Sequence, residues 1–283
     1  MNKKTNSIGI MQGRLTTKHG RSIQFFPFDN WQREFEDAAS IGIDEIEFIF
    51  DFYNYKSNPL WTANGVREIN NLISKYKVSI NTICADYFMI SPFFRTTKEI
   101  QNNNISILET IIKQAGLIGA KRIEIPFLDN SSIKTEEEEI IAINVLKITM
   151  SLAKEKNISI NIEADLVPKK LKSFIDKFGK DSIGITYDSG NSSGLGYDPK
   201  EEIKTYGKHI SNVHIKDRVL GGTTMPLGTG DTRFDDLFEG LNKINYKGSF
   251  ILQVAREKDG EEKGTIKKQK EFIIGYINKY LNK

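Results

Sequence analysis

ISINIEADLVPKKLKSFIDKFGKDSIGITYDSGN, residues 158 to 191, places two runs of alternating side chains on either side of a helical stretch. In the first run Ile158, Ile160 and Ile162 share one face, and Ser159, Asn161 and Glu163 share the other. In the second, Ile183, Ile185 and Tyr187 oppose Ser182, Gly184, Thr186 and Asp188. A period of two belongs to β-strands, because successive Cβ atoms point to opposite sides of a sheet. The segment therefore reads as strand, helix, strand, with the helix near 168 to 178 and Gly179 at its handover to the next strand.

The same rhythm runs along the chain. Strands are expected in NSIGIMQ (6 to 12), DEIEFIF (44 to 50), VSINTIC (78 to 84), KRIEIPF (121 to 127), ISNVHIK (210 to 216) and SFILQVA (249 to 255). Helical patterns follow near 30 to 41, 64 to 76, 99 to 118, 135 to 156, 199 to 207, 234 to 245 and 263 to 281. Thr135 with Glu138 reads as a capping box, and Gly42 and Gly119 stand where helices end. Eight βα units without a low-complexity linker predict an α/β fold, a single (β/α)8 TIM barrel spanning residues 1–283 as one domain. The alternative, an open doubly wound sheet, lacks a GxGxxG after the first strand.

Alternation also assigns an interior. The aliphatic sides suit packing under helices, and the small or polar sides suit the barrel lumen. Glu163, Asp188, His214 and Gln253 then point inward near the carboxyl ends of four consecutive strands, the end at which barrel enzymes place their chemistry. Glu47 and Glu124 join them by the same parity, while strands one and three stay ambiguous. Two carboxylates, an imidazole and an amide oxygen suit one divalent ion such as Mn, Mg, Co or Zn. Such an ion holds a carbonyl beside a hydroxyl and stabilises an enediolate. Taken singly, each residue has a plainer use. Glu163 could pair with Lys216 or Arg122, and Asp188 before SGN could start a turn or cap a helix.

Composition narrows the function classes. With 40 basic and 37 acidic residues the net charge is +3, which leaves no footprint for nucleic acid. A lone cysteine, Cys84, excludes an intrachain disulfide framework, fits a cytoplasmic setting and reads as a packed thiol. No apolar run reaches the length of a membrane span, and the start MNKKTNSIGIMQGRL lacks a signal-peptide core.

INIEAD, ITYDSGN, NVHIKDR with the later PLGTGD, and FILQVAR together resemble the xylose isomerase-like barrel superfamily of sugar and sugar-phosphate isomerases and epimerases. The resemblance runs from GIMQGRL onward. It implies that Glu163, Asp188 and His214 ligate one divalent metal, and that glutamates on strands five and eight flank the substrate as acid and base. Gln253 departs from that pattern, since an amide ligates through oxygen but takes up no proton. The expected activity is proton abstraction next to a metal-bound carbonyl of a small sugar or sugar phosphate, with Glu163 and Lys216 as catalytic groups. A dehydratase acting on a polyol or keto-sugar, and a silent sugar-binding barrel, remain alternatives. The superfamily's zinc endonucleases use many histidines, whereas this chain has His19, His209 and His214.

Further groups complete the expected site. Arg14, Lys216, Arg218 and Arg256 lie at or beyond strand ends, and GTGDTR at 228 to 233 offers backbone N–H groups, a set suited to a phosphate or carboxylate. A simple turn before a helix cap explains the glycines equally well, and Asp217 could instead orient Lys216. QFFPFDNW (24 to 31) and DYFMISPFF (86 to 94) suit a pocket wall, a homo-oligomer contact or loop packing.

Overall fold

The computed structural model describes residues 6–18, 20, 22–179 and 183–282. Two residues named above, His19 and Ser182, lie outside them. Parallel strands β1 (Ile8–Met11), β2 (Glu45–Ile49), β3 (Thr82–Cys84), β4 (Arg122–Phe127), β5 (Ser159–Ala164), β6 (Gly184–Asp188), β7 (Ile210–Ile215) and β8 (Ser249–Leu252) close into a barrel in the order β1, β8, β7, β6, β5, β4, β3, β2. Helices follow in turn: α1 (Arg33–Ser40), α2 (Ala63–Tyr76), α3 (Lys98–Leu117), α4 (Glu136–Glu155), α5 (Pro168–Asp176), α6 (Pro199–Tyr206), α7 (Phe234–Lys243) and α8 (Glu262–Tyr280). This is the expected α/β barrel. A short helix, Ser189–Leu195, and a hairpin pairing Asp217–Arg218 with Thr224–Met225 were not foreseen from periodicity.

By packing, the chain divides into two compact units, Glu47–Gly184, and Met1–Ile46 with Ile185–Lys283. In the first, strand register sets Ile49 opposite Cys84, Cys84 opposite Glu124, and Pro126 opposite Glu163. That settles β3, whose Thr82 and Cys84 share the face of Arg122 and Glu124. Ile123, Ile125, Ile160 and Ile162 take the other face and are buried, as are Ile107 and Ile111 of α3 and Leu146 of α4. At the start of α4, Thr135 Oγ1 accepts from Glu138 N at 3.2 Å, half of the expected capping box. Glu138 turns instead to Lys134 N at 2.7 Å and to Arg95.

In the second unit β8 lies between β1 and β7, with Phe250 opposite both Ile8 and Val213, and Ile251 opposite both Gly9 and His214. Phe250 faces outward and stacks on Phe238 of α7, with ring centroids 5.2 Å apart. Gly9 settles β1: a Cβ there would lie 2.5 Å from Glu45 Cγ and 2.7 Å from Ile251 Cδ1. Gly42, Gly119 and Gly179 all have positive φ, the left-handed conformation that ends a helix without a Cβ clash.

Aromatic rings of both segments pack within their loops. Phe25, Phe26 and Trp31 are buried after β1. After β3, Phe88 stacks on Phe93 at 4.5 Å, and both are fully buried.

Candidate active site

Asp188 closes β6 and begins the Ser189–Leu195 helix. Its Oδ1 accepts from Gly190 N at 2.8 Å and Asn191 N at 2.7 Å, the capping use that its SGN context suggested. Its Oδ2 faces elsewhere, 3.2 Å from Lys216 Nζ and 4.0 Å from His214 Nδ1. The two readings of Asp188 therefore use different oxygens of one carboxylate. His214 lies opposite Asp188 in the β6–β7 register and is fully buried.

Gln253 prolongs β8 by one rung through its backbone N–H to Ile215 O at 3.0 Å. Its amide is satisfied at both ends: Nε2 donates to Gln24 Oε1 at 2.8 Å, and Oε1 accepts from Lys216 Nζ at 3.2 Å. Lys216 Nζ donates in addition to Asn191 Oδ1 at 3.2 Å, so one ammonium gathers oxygens from Asp188, Asn191 and Gln253. Space for this arrangement comes from two helical glycines. A Cβ on Gly190 would lie 2.5 Å from Lys216 Cγ, and one on Gly194 would lie 3.0 Å from Arg218 Nε.

The glycine loop is occupied from within. Asp217 Oδ2 accepts from Gly228 N at 2.8 Å and Gly230 N at 2.9 Å, and its Oδ1 accepts from Thr232 N at 3.0 Å. The expected anion-binding role of these N–H groups is thus corrected: a carboxylate of the chain itself takes them. Arg218 donates to Gly222 O through Nε and Nη2 and to Asn191 Oδ1 through Nη1 at 2.9 Å.

Arg14 and Arg256 fasten the β1–α1 loop to the end of β8. Arg14 donates to Val254 O at 3.0 Å and Ile23 O at 2.7 Å. Arg256 donates to Ile23 O, Thr16 O and Gly13 O at 2.8, 2.9 and 2.6 Å, with its guanidinium over the Phe25 ring. Guanidinium groups committed to so many carbonyls hold backbone in place. Arg14→Ala is therefore expected to cost about 1–3 kcal/mol for each buried carbonyl left without a donor. It should lower the urea midpoint while weakening anionic and neutral sugars alike; a loss confined to anionic sugars would return Arg14 to the substrate.

Beneath the same loop, the buried Glu34 accepts from Leu15 N at 3.2 Å. Burial pushes its carboxyl up to about 7, against the lowering effects of the Gly13 and Leu15 N–H groups and of Arg256 and Arg14. The folded chain then holds this proton more tightly than the unfolded chain, so stability falls as pH rises from about 4.5 through 7, by about 3 kcal/mol in all. Glu34→Gln is expected to remove that slope and to raise the urea midpoint at pH 8 more than at pH 4.5. An equal shift at both values would reject the assignment.

In the Glu47–Gly184 unit, the ligand atoms of Glu47, Cys84 and Glu124 lie within 4.8 Å of one another, a group compatible with a metal ion. Carboxylate oxygens of Glu124 and Glu163 are equally close. Cys84 Sγ donates to Asp86 Oδ1 at 3.2 Å and Glu124 Oε1 at 3.4 Å. Burial, then the Asp86, Glu124 and Glu47 carboxylates, push its thiol well above the usual range, so it is a neutral donor here. Arg122, a candidate partner for Glu163, donates through Nε to Thr82 Oγ1 at 3.1 Å.

Gln24 and Asn191 were missed from sequence. The spacing of Gly190 and Gly194 was the available signal for a close-packed helix bearing Asn191. Gln24, 229 residues from Gln253, had as its signal only its place at the head of the QFFPFDNW segment that suits a pocket wall.

Eight parallel strands closed into a barrel, with helices between them, define the class as a (β/α)8 barrel. The chain belongs to the xylose isomerase-like TIM barrel family, whose model matches residues 35–275. The putative L-ribulose-5-phosphate 3-epimerase SgbU of Haemophilus influenzae is 24% identical over 265 residues, which cover 88% of this chain and 92% of that one. Among solved structures, the IOLI protein with a binding zinc atom superposes with a TM-score of 0.77 at 15% identity, covering 97% of this chain and 99% of its own. D-allulose 3-epimerase from Methylomonas sp. gives 0.73 at 16% identity, covering 96% and 98%. Among the described residues, no helix is long and apolar enough to cross a membrane.

Proposed function

We propose that the protein is a divalent-metal-dependent isomerase or epimerase of a small sugar or sugar phosphate. The observation that carries this reading is the Lys216 ammonium, a cation held by oxygens of Asp188 and Gln253 within the strand-end cluster that includes His214. A cation already sits against two of the expected ligands. Oxygens of Asp188 and Gln253 that already face a cation fit a metal ion, and the ligand set proposed from the sequence adds Glu163 and His214, with Mn, Mg, Co and Zn as candidates. The epimerase names of the relatives support the substrate class, and the zinc in the IOLI structure supports the metal.

When bound, such an ion polarises the sugar carbonyl and acidifies the adjacent C–H. Glu163 takes that proton, and the C–H electron pair moves into an enediolate. Lys216 offers its ammonium to the oxygen on which charge develops, a contribution that needs no proton transfer from Gln253. Return of that proton by Glu163 to the neighbouring carbon isomerises the sugar, whereas inversion at the same carbon needs a proton delivered to the opposite face, a role assigned to the Lys216 ammonium because Gln253 has none to give. Glu47 and Glu124 are assigned to sugar hydroxyls, and Arg218 orders Asn191 and its own hairpin. The same proposal treats residues 1–283 as one domain, places the protein in the cytoplasm, and gives it neither a nucleic-acid nor a membrane partner.

Elemental analysis after chelation and reloading tests the metal. About one ion per chain is expected, lost in a Glu163, Asp188 and His214 triple alanine variant. Failure to bind any of the four ions would sink the reading. Gln253 favours a second reading, a sugar-binding barrel without turnover, which keeps sugar binding and shows no proton exchange.

A further inference from the structure

We infer that Gln24 is a positioning residue that selects which end of the Gln253 amide faces the cation site. An amide has two nearly isosteric ends with opposite hydrogen-bonding character: an oxygen that accepts and a nitrogen that donates. Turned one way, Gln253 presents oxygen to a cation; turned the other, it presents N–H groups to the same cation and repels it. A glutamate at this place has two equivalent oxygens and needs no such choice. The substitution that distinguishes this chain from the pattern of strand eight therefore creates an orientation requirement.

Gln24 meets it. Its Oε1 accepts from Gln253 Nε2 at 2.8 Å, which turns Gln253 Oε1 toward Lys216 Nζ at 3.2 Å. An acceptor performs this task only if it stays in place, and the residue before it is held twice: Ile23 O accepts from Arg14 at 2.7 Å and from Arg256 at 2.8 Å. The same two arginines reach Val254 O, Thr16 O and Gly13 O, so they join the loop that carries Gln24 to the backbone following Gln253. At Gly13, with φ +80°, a Cβ would lie 2.7 Å from Phe25 O, which keeps the loop close against its own return segment. Arg14 and Arg256 thereby acquire an assignment that places neither on the substrate.

This inference rests on Gln253 being a ligand in the proposed function, and its test separates the two. In the metal-free protein, the side-chain NH2 resonances of Gln253, identified by their absence in Gln253→Glu, should shift upfield in Gln24→Leu and stay in place in Gln24→Glu, which retains an acceptor. Ion affinity, read by calorimetry, should fall about 10-fold or more in Gln24→Leu, in the range found when groups that orient metal ligands are removed. Gln24→Glu should preserve it. In the Gln253→Glu background the Gln24→Leu change should leave ion affinity unaltered, since a carboxylate has no wrong end, whereas a merely structural role for Gln24 would cost the same in both backgrounds. Equal losses in the two backgrounds, or unmoved Gln253 resonances in Gln24→Leu, would overturn the inference. If the wild-type protein binds no ion while the resonances behave as expected, the metal reading fails and the orientation of the amide by Gln24 stands.

Discussion

Glu163→Gln should abolish exchange of a carbon-bound substrate proton with solvent, lowering the rate by about 100- to 10,000-fold, the range attributed to a positioned general base. Glu163 is buried at the end of β5, opposite Pro126, and is of nearly the same shape as glutamine, so the fold should survive. Sugar binding should persist within a few-fold. The measurement is deuterium incorporation from heavy water, followed by NMR, with far-UV circular dichroism as the folding control. Full exchange in the variant would move the base elsewhere, with Glu124, whose carboxylate approaches Glu163 within 4.8 Å, as the next candidate.

Asp188→Asn should separate the two uses of one carboxylate. The amide oxygen can still accept from Gly190 and Asn191 N–H, so the Ser189–Leu195 helix keeps its cap. The charge facing Lys216 and His214 is lost, and ion affinity should drop by more than about 100-fold, beyond the cost of removing a group that merely orients a ligand. Asp188→Ala should lose both, adding about 1 kcal/mol of destabilisation from the missing cap. Calorimetric titration with manganese and urea unfolding read the two effects separately. Unchanged manganese affinity in Asp188→Asn would confine Asp188 to capping.

What the sequence disclosed follows from the range of each interaction. Strand alternation and helix ends are set by neighbours a few residues apart, which is why α2, α3, α4 and α8 fall within a residue or two of their expected limits. Lumen parity carried Asp188, His214 and Gln253 to one group of strand ends, because a period of two fixes the face once a strand is recognised. Partners chosen across long separations were not legible in that way. Asp217 takes the N–H groups of the glycine loop, and Arg14 takes Val254 O, by contacts that leave no local pattern. Arginine at a strand end carries the same letter whether its donors meet a phosphate or a carbonyl. The carbonyls of Ile23, Val254, Thr16 and Gly13 distinguish the two. The short Ser189–Leu195 helix is concealed for a different reason: serine and glycine disfavour helix, and the segment is held by the Asp188 cap and by close packing of Gly190 and Gly194 against Lys216 and Arg218.

The most direct test of the proposed chemistry is proton exchange by the wild-type protein. A panel of ketoses, aldoses and their phosphates is incubated in heavy water with protein that has been stripped of metal and then supplied with manganese, magnesium, cobalt or zinc. Deuterium should appear at the carbon beside the carbonyl of at least one sugar, only in samples given an ion, and should vanish on chelation. Binding of a sugar without label at any carbon, in the presence of every ion, would contradict it.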